Sequence, residues 1–242
     1  EVDDLSDGVT NSSGKTIGLG TGALAGDDGS TNNNTALGYN ALNTATTAYN
    51  QVAIGYEAGK AVTTGYGGVY IGRDAGLKVT DGNQNIAIGN AALYGTTTGS
   101  FNIGIGASAG YTISTQSDNT TIGESANYKT AAANCTAVGR YANYGGQGTY
   151  NTTVGAYAMF STGAKNHNTA IGGRALYAAT TGTYNSTLGY NAGSTLTSGS
   201  NNTIIGNGSA PSSVTVSNEI TLGNASVDNV RFPQDGIIFN YG

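Results

Sequence analysis

Tryptophan is absent, cysteine and methionine occur once each, proline occurs twice, and Asp, Glu, Lys and Arg together make up only 10% of the 242 residues. A lone Cys135 excludes an intramolecular disulfide, and with a single histidine, His167, no thiolate and imidazole cluster can form, so neither metal nor cofactor is expected. Nine Lys and Arg stand against 14 Asp and Glu, a net charge of −5, which leaves no basic stripe to neutralise phosphates and argues against nucleic acid as a partner. No apolar run approaches the roughly 20 residues of a membrane span, and no signal-peptide pattern opens the chain, so membrane insertion is not expected. Glycine is plentiful instead, 40 residues, beside Asn, Thr and Ala. Without proline and a three-residue period this is not collagen, and with so little charge it is not a typical disordered chain. Tightly turned β-structure remains.

One phrase returns along the chain: Asn34-Thr-Ala-Leu-Gly38, Asn85-Ile-Ala-Ile-Gly89, Asn119-Thr-Thr-Ile-Gly123, Asn168-Thr-Ala-Ile-Gly172, Asn202-Thr-Ile-Ile-Gly206. Its anchor glycine falls at Gly20, Gly38, Gly55, Gly72, Gly89, Gly106, Gly123, Gly139, Gly155, Gly172, Gly189, Gly206 and Gly223, at spacings of 18, then 17, then 16 twice, then 17. So short a period is too small for a helical repeat and predicts an all-β protein, a parallel β-roll or solenoid of about 13 coils of about 17 residues, each with two short strands and two turns. At about 4.8 Å per coil the rod is roughly 60 Å long.

Positions are counted below from the anchor glycine. Position −1 is always Leu, Ile or Val and is expected to be buried, while −3 continues the two-residue alternation of a strand. Position −2 is then expected to point outward. It is small and uncharged along most of the rod, at Ala36, Ala53, Ala87, Gly104, Ala137 and Ala170 among others, and reads as a stripe for close approach by another copy of the chain, with an extra-long flat sheet inside one chain as the alternative. Ala occupies +3 in eleven coils, where packing is tight. Eight coils carry Asn at −4 (Asn34, Asn85, Asn102, Asn119, Asn151, Asn168, Asn185 and Asn202), and stacked amides of this kind form a hydrogen-bonded ladder. At +5, Tyr94, Tyr111, Tyr128, Tyr144, Phe160 and Tyr177 occupy six consecutive coils. Stacked rings stabilise a rod in their own right, and such a row is also a candidate for stacking on sugar rings.

Candidate catalytic chemistry does not assemble. Gly18-Leu-Gly20-Thr-Gly22 and Gly104-Ile-Gly106-Ala-Ser-Ala-Gly110 look like phosphate loops out of context, but no helix follows them. Gly145-Gly-Gln-Gly148 lacks the repeated Asp of a calcium-binding roll, His167 sits in a turn slot, and Cys135 replaces a ladder Asn. The Asn-Xaa-Ser/Thr triplets at Asn119, Asn151 and Asn185 follow from the motif itself. No enzyme is expected.

The stretches Asn34-Thr-Ala-Leu-Gly-Tyr-Asn-Ala-Leu42 and Asn50-Gln-Val-Ala-Ile-Gly-Tyr-Glu-Ala-Gly59 resemble the head repeats of trimeric autotransporter adhesins, and the likeness recurs from about Thr16 to Val227. The resemblance implies a left-handed parallel β-roll wound as an intertwined or side-by-side homotrimer that adheres to surfaces. The longer coil and turns such as Thr97-Thr98-Gly99 look more like phage tail fibres that borrow the same roll. Val2-Asp-Asp-Leu-Ser-Asp-Gly8 resembles the short lead-in of such fibres, and Asn218-Glu-Ile-Thr-Leu-Gly-Asn224 with Val227-Asp-Asn-Val-Arg-Phe-Pro233 resembles the approach to an intramolecular chaperone of the endosialidase type. The implied layout is an acidic N-terminal segment, 1–15, a roll, 16–227, and a tail, 228–242, leading to a missing or cleaved chaperone. The implied role is that of a tail fibre shaft or head in the virion tail, which attaches to a host-surface glycan or protein receptor and contacts other virion tail proteins. The alternative is an autotransporter head on a bacterial surface, and an ice-binding solenoid is third.

Overall fold

The computed structural model describes residues 8–11, 15–30, 32–129 and 132–228. It is a single 14-stranded sheet in strict chain order, wound as a β-solenoid of about twelve turns. The acidic residues Glu1, Asp3, Asp4 and Asp7, and all of the expected tail beyond Asp228, lie outside the described residues. Strand β1 (Gly8–Asn11) runs antiparallel to β2 (Thr16–Leu19), with Gly8 opposite Leu19. From β2 to β14 (Ile220–Leu222) all thirteen strands are parallel and in register, so that Ala36 pairs with Ala53 and Leu37 with Ile54, one coil apart.

Each coil contributes one regular strand of three residues, or four in β2, and not the two that its length admits. The remainder turns by alternating right-handed and left-handed residues. Left-handed residues recur at −5 (Asn50, φ 56°; Tyr184, φ 58°), at +2 (Asn40, φ 53°; Arg174, φ 58°) and at +4 (Leu42, φ 48°; Leu176, φ 53°). No second strand can hold so many left-handed kinks, and outside the strands only isolated bridges, Tyr49 to Tyr66 and Gly146 to Gly163, are found among the described residues. The anchor has its own cause. Its φ lies between 121° and 135° in the first twelve copies, and a Cβ on Gly89 would lie 2.7 Å from the carbonyl carbon of Gly106 in the next coil. Only glycine lets the coils stack this closely at the corner.

The core is a narrow lumen. It is lined by −2 up to Ile204, by the +3 alanines, by +4 (Leu42, Leu93, Met159, Leu176), by +7 (Val62, Val79, Ile113, Leu196) and by the asparagines at −4, all buried. This reverses the expected facing of the strand. Ala36, Ala53, Ala87, Ala137 and Ala170 are at most 1% exposed, and Gly104 is buried beside them, so the small-residue stripe points inward and is not available as an interface. The large −1 residues point outward. The physical reason is width: a 17-residue coil encloses room for small side chains at −2 because +4 and +7 already bring aliphatic groups across from the other walls.

Candidate functional surfaces

The asparagine ladder lies inside the coil. Asn102 donates its backbone N–H to Asn85 Oδ1 at 3.0 Å and its amide to the Gln116 carbonyl at 2.9 Å, and Asn119 repeats the pattern on Asn102 Oδ1 at 3.2 Å through its backbone N–H. A second run climbs Asn151, Asn168, Asn185 and Asn202 and ends on Glu219, whose N–H donates to Asn202 Oδ1 at 2.9 Å. Within these two runs each linked rung has a buried donor paired with a buried acceptor. Cys135 keeps the rung chemically: its N–H donates to Asn119 Oδ1 at 3.1 Å, its thiol donates to the Gly148 carbonyl, and its sulfur accepts from the Asn151 N–H. Burial holds that thiol above its ordinary pKa, so it is poorly disposed to form the reactive thiolate. Gln51 is a longer substitute that receives the Gly68 N–H at 2.8 Å.

A further ladder at −6 escaped the sequence reading. The N–H of Tyr66 donates to Asn83 Oδ1, that of Asn83 to Ser100 Oγ, and that of Ser100 to Ser117 Oγ, at 3.1, 3.0 and 3.0 Å. Thr149 with Asn166, and Thr183 with Ser200, continue it at 2.8 and 3.1 Å. Small polar residues at −6 were the available signal.

The +5 aromatics do form a continuous column. From Tyr94 through Tyr111, Tyr128, Tyr144 and Phe160 to Tyr177 the ring centroids are 4.8, 5.0, 5.4, 5.1 and 5.4 Å apart, with planes within 23° of parallel. Lys78 Nζ lies 5.0 Å over the Tyr94 ring at one end, and the Arg174 guanidinium 5.5 Å over Tyr177 at the other. The faces on which a sugar ring would lie are covered by neighbouring rings and end cations, so only ring edges and hydroxyls are presented. Other stacks are shorter: Tyr39 on Tyr56, Tyr49 on Tyr66, and Tyr150, His167 and Tyr184 at 5.1 and 4.9 Å. His167 is therefore an exposed turn residue stacked between two tyrosines.

The outer face of the sheet carries two uncharged rows. Its −1 row runs from Leu37 and Ile54 through Ile105, Ile122, Val154 and Ile171 to Leu188, Ile205 and Leu222, between 36% and 49% exposed. The parallel −3 row is Val52, Val69, Ile86 and Ile103 in one half of the rod and Thr120, Thr136, Thr152, Thr169, Ser186 and Thr203 in the other. A shallow groove opens on the first half where Gly67 leaves the −5 slot empty, between Val69, Gln84, Ile86, Phe101 and Ile103.

Among the described residues no three His, Cys, Asp or Glu side chains come together as a metal site, and no helix is long and apolar enough to cross a membrane. Among the described residues one charged group stands inside the lumen. Lys165 is fully buried and its ammonium donates to the carbonyls of Met159, at 3.2 Å, and Ser161, while burial lowers its pKa to about 8. Comparison with family models, curated proteins and solved structures finds no match.

Proposed function

We propose that the chain is a fibre protein that works as a parallel homotrimer, most simply the shaft or head of a phage tail fibre that attaches the virion tail to a host surface. The observation that carries this reading is the −1 row, an uninterrupted line of half-exposed Leu, Ile and Val along the whole rod. Contiguous apolar surface of this length on one chain marks a surface that another molecule covers. A second copy in the same orientation presents the same row at the same height, and neither the −1 row nor the −3 row carries a charged side chain. The sequence resemblance supplies the number three and the adhesive role. The same assembly suits the head of a bacterial trimeric autotransporter adhesin, with the bacterial surface as its location.

Attachment is assigned to the outside of the assembled rod, with the edge of the Tyr94 to Tyr177 column as the track for a surface glycan. Binding of the full chain to an array of bacterial surface polysaccharides tests the role. The reading expects at least one polysaccharide to be retained, and retention that survives added salt, because ring-edge and hydroxyl contacts are not screened as charge pairs are. No binding to any polysaccharide or host cell overturns it.

A second reading is favoured by one feature. The −3 threonines with Ser186 and the −1 aliphatics from Thr120 to Ile205 form a two-row face, and it is this face, not the enclosed −2 row, that an ice-binding solenoid would use. Growth of ice crystals in the presence of the protein separates the two readings.

A further inference from the structure

Chains of near-identical coils have an ordering problem. Strands β2 to β14 share one register, so a coil that loops out leaves its neighbours able to pair through the same backbone hydrogen bonds. The lumen differs from coil to coil. Position +4 of one coil lies against position −2 of the next, and in five pairs their volumes compensate: Leu42 precedes Ala53, Leu93 precedes Gly104, and Met159 precedes Ala170, whereas the two large −2 residues, Tyr70 and Ile204, follow Gly59 and Gly193; Gly76 precedes the small Ala87 because the Tyr70 ring of its own coil takes the space.

The contacts are tight. A Cβ on Gly104 would lie 2.7 Å from Leu93 Cγ, and one on Gly193 would lie 3.1 Å from Ile204 Cδ1. Tyr70 is the extreme case. Its ring is fully buried and stands between two glycines: a Cβ on Gly59 would lie 2.7 Å from Cδ2, one on Gly76 would overlap Cδ1, and one on Gly68 would overlap the hydroxyl. Leaving out the coil that carries Gly59 would set Tyr70 against Leu42.

We propose that these pairs form a register code, in which Tyr70 with Gly59, Gly76 and Gly68, and Ile204 with Gly193, admit one coil order and exclude a skipped coil. The code acts within one chain and does not depend on the number of copies that associate. Backbone strain does not account for the glycine at 59, because Leu42 and Leu93 occupy the same +4 slot at φ 48°. The space is reserved for the tyrosine.

Two experiments test it. In the full chain, Gly59→Leu and Tyr70→Ala should each lower the thermal midpoint by about 5 °C or more, while the double variant, which recreates the Leu42 and Ala53 pairing, should lie closer to the parent than either. Order itself is tested by removing one coil. Deletion of residues 160–176 places Met159 before Thr187, a compatible pair, and should leave a cooperative transition near that of the parent. Deletion of residues 43–59 places Leu42 before Tyr70 and should abolish or strongly depress the transition, and Leu42→Gly, a destabilising change in the full chain, should restore it. Equal tolerance of the two deletions, or failure of Leu42→Gly to restore the second, overturns the proposal. If neither deletion folds, the full-chain cycle decides, and simple additivity of Gly59→Leu and Tyr70→Ala overturns it.

Discussion

Asn102 stands directly over Asn85 in the lumen, and both its backbone N–H and its side-chain amide donate to the one Asn85 Oδ1, at 3.0 and 3.2 Å. The same amide reaches the Gln116 carbonyl of the coil above, so one side chain joins three successive coils. Asn102→Ala keeps the backbone N–H on Asn85 Oδ1 but leaves the Gln116 carbonyl without this amide and the Asn119 N–H and side-chain amide without their shared acceptor, in a largely buried place. The expected loss is about 3 kcal/mol, read by urea unfolding of the variant against the parent. A loss under about 0.5 kcal/mol would show that the ladder is not what holds the strand entrances.

Tyr70 predicts a gain. Its hydroxyl is buried without a hydrogen-bond partner, and burial alone raises its pKa. Tyr70→Phe keeps the ring between Gly59 and Gly76 and removes the unpaired group, so stability should rise by about 1 kcal/mol in the same unfolding measurement. A loss of that size would mean that the hydroxyl is satisfied.

Lys165 predicts a pH dependence. Its folded pKa of about 8 lies below the ordinary 10.5, so the folded state disfavours the charged form. Below pH 8 the amine is charged in both states and the burial cost is fully present. The cost fades as pH rises from about 8 to 10.5 and is gone above that. Lys165→Met should therefore stabilise the rod by about 3 kcal/mol at pH 7, and the advantage should vanish by pH 10.5. An advantage that does not change with pH would place the ammonium in water.

The aromatic column separates stability from attachment. Replacing Tyr111, Tyr128 and Tyr144 by Leu breaks four stacked contacts and should cost about 2–5 kcal/mol. Replacing the same three by Phe keeps the stack and removes the hydroxyls on its edge. Stability should stay within about 1 kcal/mol of the parent while glycan retention falls severalfold. Undiminished retention by the Phe variant moves attachment away from the column.

Which features could be read in the sequence follows from what repeats. The anchor glycines, the asparagine rungs and the +5 aromatics recur at one period, and stacked coils must bring them into columns. Facing is harder, because alternation within a strand shows two faces without saying which one is inside. The expectation that Ile54 is buried and Ala53 outward reversed the two. The rungs held the answer: −4 has the same parity as −2, and an amide ladder that bonds backbone groups must be enclosed, so Ala53 follows Gln51 inward. Tyr70 was harder still. A tyrosine at −2 reads as a surface residue until Gly59, Gly68 and Gly76 are seen to clear a space for it, and that clearance joins residues up to 17 positions apart. The −6 ladder was hidden by its variety, since Asn83 and Asn166 accept a backbone N–H through an amide oxygen where Ser100 and Ser117 do so through a hydroxyl.

The central claim is that the outward Leu, Ile and Val row is covered by two further copies of the chain. Sedimentation equilibrium of the full chain at micromolar concentration tests it most directly. The account predicts a single species of three times the 24.1 kDa chain mass that does not dissociate on dilution. A stable, folded species of one chain mass, with its −1 row facing water, would contradict it.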